Sequence, residues 1–301
     1  MPDANSERKS TVSVVVPTYY RPKELGDLFD SLLNQSIRPF EVVIVDDTPT
    51  KAVRNLCEDF ETKFRVIGSR LFYLRNLGTR STTATRNMGV IKTEGEIILF
   101  LDSDVILHPL YIERMLDVFK RLDAIGVQGW IVNLKPVAFP LYQTLKRAFF
   151  MMSYRQNGYK FYEYPYPLTG IVSCEAFRGA NMAFVRKIFD EFRFDENLKF
   201  YAFNEDLLFS YSVFKKYPGK LFITPHAKCM HKVSKEGRDR SLGPELHRAK
   251  CRKYVLTKLF GSKGLMMYHW ERLGILLREM AVIFLKRIPF ISKIGLDLEV
   301  D

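Results

Sequence analysis

Residues 96–109 read EIILFLDSDVILHP. The run from Ile97 to Leu101 is apolar without a break, which predicts a strand buried on both faces. It stops at two acids, Asp102 and Asp104, with only Ser103 between them. Like charges this close raise each other's pKa unless something neutralises them. Either both carboxylates face water in a loop, or a cation sits between them.

The chain before this stretch repeats its pattern. TVSVVVP (11–17), EVVIVDD (41–47) and RLFYLR (70–75) predict three more strands. Between them, PKELGDLFDSLLNQS (22–36), AVRNLCEDF (52–60) and STTATRNMGVIKT (81–93) predict helices, the first with Leu25, Leu28, Phe29, Leu32 and Leu33 at helical spacing and the last opened by Ser or Thr caps. After it, PLYIERMLDVFKRL (109–122) predicts a helix and IGVQGWIVN (125–133) a fifth strand. Strands alternating with helices predict an α/β fold with a mainly parallel sheet flanked by helices. From 136 to 178 the chain turns aromatic and irregular. GANMAFVR (179–186), KLFITP (220–225) and AKCMHK (227–232) predict strands, and NEDLLFSYSVFKK (204–216) a helix capped by Asn204. A C-terminal helical appendage follows, with helices near 245–260 and 265–288 broken at GSKG.

The 301 residues are 47% hydrophobic, enough for a sizeable core, and carry a net charge of +12. That balance favours an anionic partner: nucleic acid, a membrane surface or a phosphate-bearing substrate. Four separated cysteines without a C-x-x-C pair argue against zinc and fit a reducing compartment. The polar opening MPDANSERKS predicts a disordered tail over 1–10 and a cytoplasmic chain. No run of about 20 apolar residues predicts a membrane span.

Chemistry collects at the strand ends. Ligands of open α/β sheets bind beyond the carboxyl ends of the strands, so Tyr19, Arg21, Asp46, Asp47, Asp102 and Asp104 should share one rim. Mg²⁺ or Mn²⁺ commonly binds one or two carboxylates plus substrate phosphates, which would answer the question of the paired acids. Neither G-x-G-x-x-G after the first strand nor a P-loop motif is present.

VSVVVPTYYRPKELGDLFDSLLNQS, EVVIVDD, TRNMGVIKTEGEIILFLDSD, FRGANMAFVRKIFDEFRFDE and NEDLLFSYSVFKK, in this order over about residues 10–235, resemble the family 2 glycosyltransferases, whose fold is the Rossmann-like GT-A fold. Two positions differ from the usual family residues: Tyr20, where Asn is common, and Thr48-Pro49 after the acidic pair. The resemblance implies a GT-A catalytic domain over 11–235, with a nucleotide-sugar half at 11–135 and an acceptor half at 136–235; the helical region at 244–301 is read from its own residues. It implies a metal-dependent inverting transferase moving a sugar from a UDP- or GDP-linked donor to a hydroxyl of a glycan or lipid-linked acceptor. Pro17, Thr18, Tyr19 and Arg21 would line the nucleotide pocket, with Asp46 and Asp47 reaching base or ribose and Arg86 and Asn87 flanking the donor. Asp102, Ser103 and Asp104 would form the D-x-D segment, and Asp102, Asp104 and His231, with His226 a weaker candidate, would hold Mn²⁺ or Mg²⁺. Gly179, Ala180 and Asn181 would lie beside donor sugar and acceptor. Glu205 and Asp206 stand at a helix start, where the dipole favours negative charge; the resemblance makes Asp206 the general base, and Glu205 would hold an acceptor hydroxyl or a neighbouring loop.

Two other readings compete. A nucleotidyltransferase would carry a Gly-rich basic loop after the first strand, of which TYYRPKELG is a poor version. A nucleic-acid-binding protein fits the charge, but the positive charge is dispersed and the strand-end acids oppose it. In 272–290, RLGILLREMAVIFLKRIPF, the residues Leu273, Leu277, Met280, Ala281, Phe284 and Ile288 form an apolar stripe with most basic residues elsewhere, which predicts peripheral membrane contact.

Overall fold

The computed structural model describes residues 10–133, 148–149, 155–156, 159–160, 168–200, 202–234 and 244–286. The expected tail, most of the aromatic segment and the chain beyond 286 lie outside these residues.

The first half alternates as the sequence predicts: β1 (Val12–Thr18), α1 (Pro22–Leu33), β2 (Glu41–Asp46), α2 (Ala52–Val66), β3 (Arg70–Arg75), α3 (Thr82–Lys92) and β4 (Ile97–Leu101). These four strands are parallel in the order β3-β2-β1-β4. Successive strand residues point to opposite faces, and both faces are covered. Val14, Ile44 and Leu99 pack with Leu25, Phe29 and Met115, whereas Val15, Val43 and Phe100 pack with Phe184, Phe194 and Phe209. Double coverage is why these strands read as unbroken apolar runs.

The second half departs from simple alternation. It contains β5 (Val105–Leu107), α4 (Tyr111–Leu122), β6 (Gly126–Ile131), a two-stranded ribbon of β7 (Arg155–Gln156) and β8 (Tyr159–Lys160), β9 (Val172–Ser173), β10 (Asn181–Val185), a 3₁₀ turn (Arg186–Asp190), α5 (Glu205–Lys216), β11 (Leu221–His231) and α6 (Pro244–Lys286). The sheet continues β4-β10-β6-β11-β5, with β9 beside β11. β10 is wedged antiparallel between β4 and β6, and β5 and β9 are antiparallel to β11. The sheet is therefore mixed, with β1, β2, β3, β4, β6 and β11 sharing one direction. The two short strands expected over 220–232 are one strand, β11, whose pairing with β6 shifts register between Ile223 and Lys228. β5 was not expected, because three residues are too few to show a period.

α6 breaks at Gly261 (φ 59, ψ −135), inside the GSKG stretch. Its halves fold back on each other: Arg252 Nε lies 2.8 Å from Glu271 Oε2, whereas 19 residues of unbroken helix would span about 28 Å. Gly264 permits the approach, since a Cβ there would lie 1.9 Å from Leu256 O. Val255, Leu256, Leu259 and Met267 pack on Leu207, Leu208 and Tyr211 of α5. Among the described residues no helix is long and apolar enough to cross a membrane. All four cysteines are free and buried.

Beside this packing, Glu175 is 6% exposed and its Oε2 has no hydrogen-bond partner. Burial pushes its pKa up to about 7. A carboxyl whose folded pKa lies above its unfolded value stabilises the fold below the unfolded pKa, and that contribution disappears as pH rises through the folded pKa. Glu175→Gln, which mimics the protonated form, should therefore raise the melting temperature by about 2–4 °C or more at pH 8, taking about 1 kcal/mol or more relieved, and leave it unchanged near pH 4. Equal shifts at the two pH values, in thermal melts, would show that the carboxylate is not penalised.

Candidate active site

β1, β2 and β4 end side by side, and their carboxyl ends open into a cleft lined by Pro17, Thr18, Tyr19, Arg21, Asp47, Thr82, Thr85, Asp102, Ser103, Asp104 and His231. His231 is some 130 residues from the acids in sequence. β5 brings it there: Val105 pairs with His231 in the β5–β11 register, so the residue before Val105 meets the imidazole.

Asp104 is 1% exposed. Its Oδ1 lies 3.1 Å from His231 Nε2. Its Oδ2 accepts from Ser234 N at 2.8 Å and lies 3.1 Å from Arg21 Nη1. Burial opposes its ionisation, but His231, Arg21 and the Ser234 amide outweigh burial and hold its pKa down to about 2. His231 shows the converse: burial lowers its pKa, and the hydrogen bond to Asp104 and the two carboxylates raise it on balance. Asp102 Oδ2 lies 3.9 Å from the same Nε2. One ligand atom from each of Asp102, Asp104 and His231 falls within 4.8 Å of the other two. Two carboxylate oxygens and an imidazole nitrogen around one point, with Asp104 anchored from behind, fit Mn²⁺ or Mg²⁺. His226 is exposed on β11 and does not line the cleft.

A second group of acids joins this one through a buried guanidinium. Arg86, on α3, is 1% exposed. Its Nη1 bonds Glu205 Oε1 at 2.5 Å, and its Nη2 bonds Gly179 O at 3.2 Å and lies 3.6 Å from Asp102 Oδ1. A Cβ at Gly179 would lie 2.8 Å from Arg86 Nη2, so a side chain there would have to displace the guanidinium. Gly179 N in turn donates to Asp206 Oδ2 at 2.7 Å, and Asp206 Oδ1 accepts from Leu207 N at 2.8 Å. Burial, then the neighbouring Asp206 charge, push the Glu205 pKa up, while Arg86 pulls it down; burial prevails. Asn204 precedes the helix at φ 63 and makes no side-chain cap. The expected Asn204 cap is thus corrected: its left-handed backbone does not serve as the usual β-region cap.

Other expected site residues divide clearly. Asp47 lines the cleft and accepts from Asn76 Nδ2 at 2.6 Å and Ser81 N at 3.2 Å. Asp46 is fully buried and instead holds Thr48 N at 2.8 Å and Tyr73 OH at 3.0 Å. Asn87 bonds Phe194 O and Glu196 Oε1, fixing the 194–196 turn rather than lining the cleft. Ala180 O accepts from Asp102 N at 3.0 Å, and Asn181 is buried against Gln128 and Cys229. Thr82 and Thr85, which line the cleft, were missed; the signal available was their place in the first turn after Ser81, the helix cap. Arg80 is not in the cleft lining, but its guanidinium lies 4.4 Å from the ring centroid of Tyr19, which is. The two departures from the resemblance meet each other. Tyr20 adopts φ 54, a conformation that Asn enters more easily than tyrosine, and its N–H donates to Thr48 Oγ1 at 2.9 Å.

The glycosyl transferase family 2 model matches residues 13–193, more than half of the chain. The chain belongs to this family. It is 33% identical over 118 residues to a validoxylamine A glucosyltransferase of Streptomyces hygroscopicus, a stretch covering 38% of this chain and 25% of that protein. It is 30% identical over 122 residues to glycosyltransferase GlyG of Streptococcus pneumoniae, covering 40% of this chain and 39% of that one. The matched stretches are thus well under half of those relatives. Among solved structures, the mannosyltransferase PcManGT of Pyrobaculum calidifontis, in complex with GDP-Man and Mn²⁺, superposes with a TM-score of 0.60 at 14% identity, covering 95% of this chain and 83% of that one. S. aureus TarS 1–349 in complex with UDP-GlcNAc gives 0.55 at 17% identity, covering 86% and 70%. These likenesses establish the GT-A fold.

Proposed function

We propose that the protein is a metal-dependent inverting glycosyltransferase that moves a sugar from a UDP- or GDP-linked donor to a hydroxyl of a glycan or lipid-linked acceptor. The observation that carries this reading is the shared rim: Arg86 ties Asp102, of the Asp102–Asp104–His231 triad, to Glu205 and, through Gly179, to Asp206. Family membership and the nucleotide-sugar complexes of PcManGT and TarS favour it over nucleotidyl transfer and over nucleic-acid binding. Domain limits of 11–235 for catalysis and 244–301 for the helical region accompany it.

Asp102, Asp104 and His231 would hold Mn²⁺ or Mg²⁺, which as a Lewis acid would offset the charge growing on the leaving diphosphate. Pro17, Thr18, Tyr19 and Asp47 are our nucleotide contacts; the buried Thr18 Oγ1 has no partner, a cost a ligand can relieve. Asp206 takes the acceptor hydroxyl's proton as that oxygen attacks the anomeric carbon from the side opposite the diphosphate. Glu205, held by Arg86, shapes the acceptor side next to Gly179. A thermal-shift screen of UDP- and GDP-sugars, with Mn²⁺ and then with EDTA, tests the reading. Stabilisation that needs both sugar nucleotide and metal is expected; equal response in EDTA would remove metal dependence.

The same protein is proposed to act on the cytoplasmic face of a membrane. Leu273, Leu277 and Met280 are 41%, 45% and 58% exposed, so the stripe does not pack on the catalytic domain at these points, and Met266 extends it, whereas Trp270 stacks on Phe149 and donates to Ala148 O. Ala281, Phe284 and Ile288 lie outside the described side chains. Exposed Lys263 and Arg272 flank this face, the pattern of a helix lying in an anionic interface. The protein should sediment with anionic liposomes at low salt. Leu273→Asp combined with Leu277→Asp should leave it in the supernatant. If the wild-type protein itself stays there, the membrane proposal fails.

A further inference from the structure

The turn that follows β11 is bent against its own sequence. Val233 has φ 53, a conformation that makes a β-branched residue a genuine outlier. It stands two residues after His231 and is 41% exposed, so burial of its side chain does not explain the bend. The hydrogen bonds around it do. Lys232 N donates to Asp104 O at 3.0 Å, and Ser234 N donates to Asp104 Oδ2 at 2.8 Å. Ser234 O accepts from Arg21 Nη2 at 3.2 Å, while Arg21 Nη1 lies 3.1 Å from Asp104 Oδ2. One guanidinium thus grips both the carboxylate that faces His231 and the turn that carries His231. The turn is also tied to the same side of α1 by Ser234 Oγ to Glu24 Oε1 at 3.2 Å and by the Lys232–Asp27 ion pair.

We propose that Arg21 is a positioning residue for the cation site: its fork holds Asp104 Oδ2 and Ser234 O together, so that Asp104 Oδ1 and His231 Nε2 stay aimed at one point beside Asp102. This rests on the triad being a cation site, the reading given above. Arg21 also lines the cleft, so its partners rather than its place argue for positioning over a direct nucleotide contact. Arg21 is 13% exposed on its side chain, with two of its nitrogens on protein oxygens. A planar fork meets two acceptors at once, which a lysine ammonium on a flexible stem does less well. Partners that orient metal ligands from behind typically account for about 10–100-fold in metal affinity.

Free Mn²⁺ is measured by electron paramagnetic resonance during titration of the wild-type protein, Arg21→Met and Arg21→Lys, each checked by thermal melting in EDTA. UDP and GDP binding is measured in EDTA on the same samples. Arg21→Met should bind Mn²⁺ about 10–100-fold more weakly, and Arg21→Lys about tenfold more weakly, while metal-free nucleotide binding changes less than about twofold. Should Arg21→Met fail to fold, Arg21→Lys decides alone: wild-type Mn²⁺ affinity in it overturns the proposal. Normal Mn²⁺ affinity with lost metal-free nucleotide binding makes Arg21 a donor ligand and likewise overturns it. If the wild-type protein binds no Mn²⁺, with or without nucleotide, the cation site itself fails and this proposal with it.

Discussion

Asp206→Asn is expected to cut sugar transfer by about 10²–10⁴-fold, the range for a lost general base, while Mn²⁺ and donor binding stay near wild type. The substitution keeps shape and removes basicity. It also has a structural cost: both carboxylate oxygens accept backbone N–H groups, from Gly179 and Leu207. An asparagine has one acceptor oxygen, so one of these amides loses its bond, at about 1–3 kcal/mol if it stays buried. Thermal melting separates that cost from the catalytic one, because a loss of transfer at a temperature well below the melting point is not unfolding. Glu205→Gln is the necessary companion. If Asp206→Asn transfers at the wild-type rate and Glu205→Gln is dead, the roles are exchanged. If both are active, the base is another group.

The other large effect is expected at Asp104. Asp104→Ala removes a candidate ligand and, with it, the acceptor of Arg21, Ser234 N and His231. Turnover and metal-dependent nucleotide binding should both be abolished, and Mn²⁺ should no longer raise the melting temperature in the presence of UDP or GDP. Stability should change with pH as well. The folded pKa of about 2 lies below the ordinary value of 3.8, so this carboxylate stabilises the fold above pH 3.8 and that contribution is lost as pH falls toward 2. The variant should lack that part of the acid transition. Wild-type turnover by Asp104→Ala, or by the wild-type protein in excess chelator, would remove the cation from the reaction.

Much of this was legible before any coordinates. Buried parallel strands announce themselves, because a strand covered on both faces has no polar alternation; Val12–Thr18, Glu41–Asp46 and Ile97–Leu101 were each visible for that reason. The rim followed from the strand ends. What stayed hidden was set by pairing across long separations. Nothing local in 179–186 says that β10 runs antiparallel to β4, and nothing in VIL says that β5 will bring Asp104 to His231. Asp46 and Asp47 are chemically alike and adjacent, yet β2 ends between them: Asp46, the last strand residue, is 0% exposed, and Asp47, the first beyond it, lines the cleft. Asn87 stands in the expected donor block, and the 194–196 turn that it holds has no signature in its own neighbourhood.

β10 has a mechanical consequence. It lies between β4 and β6, and Ala180 O, just before it, accepts from Asp102 N. The two halves of the chain therefore share one hydrogen-bonded sheet, and the seam between them runs through the cleft floor. They cannot swing apart as two lobes on a hinge without breaking ladder bonds beneath the acids. On the proposed reading, opening for a sugar nucleotide would then not come from parting the halves, because the floor that carries Asp102 belongs to both.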